Sequence, residues 1–189
     1  MFAHIVVFLS FIYAIAITHP LASGNQLIIE RRRVRWSPLL ICWMVSSVLL
    51  LIMNWLAVFR LADVTNWTIG QIFVHILAAF LLYYVCALPA PASQPSEPID
   101  MPAHFAENRV PILGAFLLFG LSALLVNLVD LRSQGLSAST TVNRIYGLFP
   151  NMVAYAIGLC FRAIWLQWVV ALFVLARLAY VLTMRIIAG

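Results

Sequence analysis

Apolar runs of about twenty residues recur along this chain, and they constrain the fold more tightly than any other feature. An α-helix rises 1.5 Å per residue, so about 20 residues cross the ~30 Å hydrocarbon core of a bilayer. Inside that core no water can satisfy a backbone N–H or C=O, so each must find its partner within the chain. The expected fold is therefore all-α, a polytopic membrane helix bundle. Composition decides against a soluble alternative: 65% of residues are hydrophobic and only 9% are charged. A water-soluble domain is near half apolar and about a quarter charged.

The apolar runs predict about six transmembrane helices near residues 2–29, 38–59, 69–88, 111–131, 144–160 and 163–184, in one domain covering 1–189. The first has no basic residue ahead of it and a dense basic cluster behind it, the reverse of a cleaved signal peptide. It is long for one span, so tilt and a kink at Pro20 are expected. Arg31, Arg32, Arg33 and Arg35 follow, with Trp36 beside them. By the positive-inside rule this cluster anchors the first loop in the cytoplasm, with Trp36 at the interface, which puts the N-terminus on the periplasmic side. Ser37-Pro38 and Thr68 open the second and third helices as caps.

Prolines at 89, 91, 95, 98 and 102 mark residues 89–110 as a cytoplasmic linker, in which Asp100 caps a short interfacial segment. The fifth helix carries Pro150 and the least apolar sequence, so it reads either as a span or as a re-entrant segment that would move the C-terminus inside. With six spans, the cytoplasmic side holds Arg31, Arg32, Arg33, Arg35, Arg109 and Arg162, against Arg60, Arg132, Arg144 and Arg185 outside.

Polar groups inside a span are expensive and each needs a reason, on the order of 2.5 to 3.5 kcal/mol for an ionised side chain at the centre. His75 and Asn54 fall at similar depth, roughly 9 and 8 Å from the outer ends of helices 3 and 2. Asn127, Asp130 and Arg177 lie in the same leaflet. These five residues form a candidate polar pocket open towards the periplasm, with His75 titrating and Asp130–Arg177 as an ion pair. The alternative is interhelical glue, since buried amides and imidazoles commonly hydrogen-bond between membrane helices.

No catalytic residue, metal site or cofactor is expected. The histidines (His4, His19, His75 and His104) lack the spacing of a metal or haem site, and Cys42, Cys86 and Cys160 sit in apolar runs without a CxxC pair. Asp100 with His104 and Glu107 is the only grouping that suits a lipid-modifying enzyme. The net charge of +5 comes from arginines that are scattered outside one cluster, which does not suit nucleic acid.

The apolar first helix, the run Arg31-Arg32-Arg33-Val34-Arg35, the Trp-bearing second helix and the stretch Asp100…His104-Phe105…Arg109 together resemble a group of small uncharacterised bacterial polytopic inner-membrane proteins. The resemblance covers about the first two-thirds of the chain and implies topology and no activity. The reading carried forward is a non-enzymatic accessory or interaction subunit of a membrane assembly. Its expected partners are membrane lipids and either further copies of itself or other membrane subunits. The alternative is a small homo-oligomeric channel or transporter.

Overall fold

Six helices follow one another in the computed structural model: α1 (Phe2–Ile29), α2 (Pro38–Val58), α3 (Ile69–Ala87), α4 (Met101–Gln134), α5 (Ala138–Cys160) and α6 (Ile164–Ile187). The structure describes residues 2–59, 67–91, 98–134 and 138–187. Arg60 and the middle of the Pro-rich linker lie outside the described residues, as do the side chains of Arg132, Arg144 and Arg185. Five of the helices (α1, α2, α3, α4 and α6) are long and apolar enough to cross a membrane. In α5 the apolar part is the shorter Tyr146–Cys160.

Local chemistry sets where the helices begin. Ser37 Oγ accepts a hydrogen bond from the Leu40 backbone N–H, and Pro38 takes a first-turn position where its missing N–H costs nothing. At α3, Thr68 and Gln71 form a reciprocal capping box: Gln71 N–H donates to Thr68 Oγ1 at 3.2 Å, and Thr68 N–H donates to Gln71 Oε1 at 2.9 Å.

The fourth helix begins ten residues earlier than the sequence pattern predicts, because the segment capped by Asp100 is continuous with the span. Asp100 Oδ1 accepts from Ala103 N–H at 2.9 Å. Pro111 lies inside the helix, where it removes the hydrogen bond to the carbonyl of Glu107. Glu107 is exposed, so that carbonyl sits at a solvated stretch of the helix rather than in the core.

Neighbour pairs establish the direction of each helix. Arg109 and Leu113 of α4 lie beside Gly158 of α5, and Gly120 lies beside Met152, so these two helices run antiparallel. Gly158 then meets Gln167 of α6, and Gly147 meets Arg177, again antiparallel. His19 and Ser23 of α1 face Tyr83 and Pro91, which makes α1 and α3 parallel. The six helices therefore alternate in direction. Both chain ends lie at one end of the bundle, here the terminal end. Arg31–Arg35, the Pro-rich linker and the α5–α6 turn lie at the other, the arginine end. Extending the α4–α5 register places α5 alongside α4 over nearly the same depth, and at 23 residues it is roughly 34 Å long.

The helices contact one another around a ring in the order α1, α3, α4, α5, α6, α2, and α2 also reaches α3 and α4. Three aromatic rings from different helices fill the middle. Trp43 (α2) packs edge-on to Phe116 (α4) with centroids 5.0 Å apart, and Tyr155 (α5) lies 5.3 Å from Phe116 and 6.2 Å from Trp43. All three are buried. At Gly158 the packing is tight: a Cβ there would come within 3.1 Å of Leu113 Cδ1 and 3.5 Å of Val170 Cγ1, so the bare backbone lets α5 lie close against α4 and α6.

Candidate functional site

The polar residues picked out by the sequence do not assemble into one pocket. Asn54 donates to the carbonyl of Leu50 at 2.8 Å and Asn127 to that of Ala123 at 2.7 Å, each one turn back on its own helix. The expected meeting of Asn54 with His75 is replaced by these back-bonds. The reason lies in the packing: α3 lays its main faces on α1 and α4, and meets α2 over a smaller contact. Arg177 Nη2 donates to the carbonyl of Gly147 on α5. Its helix neighbours α2 and α5, whereas Asp130 belongs to α4 and faces α3.

His75 and Asp130 are brought together. His75 Nε2 and Asp130 Oδ2 stand 3.9 Å apart, and both residues are buried. His75 Nδ1 lies 2.8 Å from the carbonyl of Gln71. A carbonyl only accepts, so Nδ1 carries a hydrogen and donates it. Trp67 closes over the imidazole edge-on at 5.7 Å. The capping box orients Gln71, Gln71 orients the imidazole, and the imidazole meets Asp130. The arrangement places an imidazole and a carboxyl side by side, both buried, at the terminal end of the bundle.

At the arginine end, a second polar constellation lies mostly outside the five sequence candidates. A helix leaves its last carbonyls without partners, and α5 ends at Cys160 in a tight turn before α6. Arg109 Nη1 donates to the carbonyls of Gly158, Leu159 and Phe161 at 2.5, 3.3 and 3.0 Å. Gln167 Nε2 donates to those of Gly158 and Phe161 at 2.9 and 2.6 Å. Both side chains are buried, and the guanidinium charge also complements the negative end of the helix dipole. A buried arginine at a helix C-terminus has no local sequence signature, because the residue that caps comes from a different helix.

The arginine loop is clamped to the Pro-rich linker. Val34–Arg35 and Ile99–Asp100 pair as two short parallel strands, β1 and β2. Arg35 Nη1 donates to Asp100 Oδ2 at 3.1 Å. Ser23 donates to the carbonyl of Pro91 at 3.0 Å, tying α1 to the same linker. His104 Nε2 donates to the carbonyl of Leu88 at 3.0 Å and so caps the end of α3. Asp100 and His104, the grouping that suits an enzyme, are thus both engaged in holding backbone and Arg35. Of the anchor residues, Arg33 pairs with Glu30 at 3.9 Å, and Trp36 is exposed.

The backbone N–H of Ala103, and then the bond and charge of Arg35, hold the Asp100 carboxyl below the usual carboxylate range, against a smaller opposing effect of desolvation. A carboxyl depressed in the native state contributes stability at neutral pH, and that contribution disappears as pH falls through its native value. The expected result is that Ala103 stays protected from amide exchange down to the ordinary carboxylate range near pH 4 and loses protection below it. Asp100→Asn should exchange faster than the parent at neutral pH and show no such transition. Equal protection in both proteins at every pH would remove the clamp from the account.

No protein-family model, curated protein or solved structure matches this chain.

Proposed function

We propose that this is a multi-pass protein of the bacterial inner membrane, with its arginine end in the cytoplasm and both termini in the periplasm. It serves as a non-enzymatic accessory or interaction subunit of a larger membrane assembly. The orientation follows from the arginines, six at one end of the bundle and four at the other, with the Arg31–Arg35 cluster dominating. The proposed topology, but no activity, is what the resemblance to small bacterial inner-membrane proteins implies.

One observation carries the functional reading: most of the polar side chains singled out inside the bundle are engaged in building it. Arg109, Gln167 and Arg177 satisfy helix carbonyls, Asn54 and Asn127 bond back to their own turns, and Trp43, Phe116 and Tyr155 fill the centre where a conduction path would run. A fold organised in this way is a rigid apolar body that other membrane segments can pack against. The second reading, a homo-oligomeric channel or transporter, draws its support from the buried His75–Asp130 pair alone.

Native mass spectrometry of the protein extracted from its own membranes in mild detergent separates the two. A second membrane polypeptide at fixed stoichiometry is expected. A homo-oligomer carrying lipid alone, with a pH-dependent ion flux in liposomes that His75→Ala abolishes, would replace the subunit reading with the transporter.

A further inference from the structure

An open groove of about 330 Å³ runs between α1 and α2 at the arginine end. Pro20, Gly24 and Ile28 form one wall and Trp36, Met44 and Val48 the other. Along α2 the lining runs from Ile41 to Leu49, roughly 12 Å at helical rise, and so covers most of one leaflet's ~15 Å of hydrocarbon, with Trp36 just ahead of the helix. The loop that closes the mouth joins Ile28 to Trp36, and it carries Arg31, Arg32, Arg33 and Arg35.

Two of these arginines have work inside the protein, Arg33 with Glu30 and Arg35 with Asp100. Arg31 and Arg32 are exposed and make no ion pair among the described residues. The site is thus an almost entirely apolar slot, with Arg31 and Arg32 on the loop that joins its two walls and a half-exposed Trp36 in its lining on that side. Guanidinium groups match phosphate oxygens in geometry and charge, and an indole favours the level where headgroup meets acyl chain.

We infer that this groove is a binding site for one anionic phospholipid, with an acyl chain between α1 and α2 and the headgroup phosphate on Arg31 and Arg32. The net negative headgroup distinguishes this occupant from bulk lipid, because a zwitterionic phospholipid offers the same chain but brings a cation beside the arginines. The site rests on the bilayer setting of the chain and is independent of whether the protein is a subunit or a transporter.

Gly24 provides a direct test, since a Cβ built there meets nothing within 4 Å, so a larger side chain can enter the groove without forcing the backbone apart. The purified full-length protein is delipidated in detergent and titrated with phosphatidylglycerol or phosphatidylethanolamine of matched chains. Bound lipid is read by native mass spectrometry, and folding of each variant is checked by thermal unfolding. The parent should retain phosphatidylglycerol with about ten-fold or greater preference, the scale expected for two arginines at an anionic headgroup. Arg31→Gln with Arg32→Gln should bind both lipids equally and weakly. Gly24→Phe should lose the retained lipid altogether while melting like the parent. Equal retention of both lipids by the parent overturns the proposal, as does unchanged preference in the double arginine variant. Undiminished lipid binding by Gly24→Phe would place the lipid outside the groove and overturn it equally.

Discussion

Replacing Arg109 by alanine should destabilise the bundle by roughly 2–4 kcal/mol, an effect expected of a buried, charged hydrogen-bond donor that serves several helix-end carbonyls. The guanidinium serves three carbonyls at the end of α5. Gln167 shares two of them, those of Gly158 and Phe161, so these keep a partner when the arginine is removed. The carbonyl of Leu159 loses its described side-chain donor, and the α5 terminus loses its compensating positive charge. Arg109→Lys keeps the charge but offers a point donor in place of a planar fork, so it should recover only part of the loss. Combining Arg109→Ala with Gln167→Leu should cost more than the sum of the two single changes, because each residue covers for the other at shared acceptors. Thermal or denaturant unfolding of the four proteins in one detergent gives the comparison. If Arg109→Ala unfolds with the parent, the arginine is a charge at the interface and the end of α5 is satisfied by other means.

Arg109 also shows where sequence reasoning reaches its limit in this fold. Period and length suffice to place helices, because a bilayer demands about twenty apolar residues whatever the tertiary structure. The caps at Ser37 and Thr68 are equally legible, since donor and acceptor lie three residues apart in the chain. Arg109 contributes to the charge asymmetry as a topological arginine, yet its bonds run to residues 49 to 52 positions away. Nothing local distinguishes it from Arg162, which is exposed at the same end. The polar candidates met the same difficulty. Equal depth along separate helices puts His75 and Asn54 on a level, but which helices become neighbours depends on packing, and α3 turned its histidine towards α4 and Asp130. The start of α4 is a third instance. Five prolines argue against helix across the linker, whereas Pro102 sits in the first turn and Pro111 leaves only an exposed turn unpaired, so both are accommodated in a continuous helix.

Trp43→Ala is the substitution expected to cost most, about 3–5 kcal/mol on the scale of buried aromatic truncations. Trp43 is fully buried and touches rings from two other helices, Phe116 and Tyr155. In a bilayer the transfer contribution shrinks, since lipid is as apolar as the core, and helix association rests on close packing instead. A void at this position therefore removes contacts that lipid tails cannot replace inside a closed ring of helices. Trp43→Phe should recover much of the stability, and the pair Trp43→Ala and Phe116→Ala should be strongly non-additive because both open the same space. The same variant also bears on function. Should the protein be a scaffold, emptying the centre lowers the unfolding temperature and leaves liposomes as tight to ions as before, because the surrounding side chains remain apolar. Should Trp43→Ala instead conduct, with a current that responds to substitution of His75 or Asp130, the aromatic cluster is a gate and the His75–Asp130 pair lies on its path.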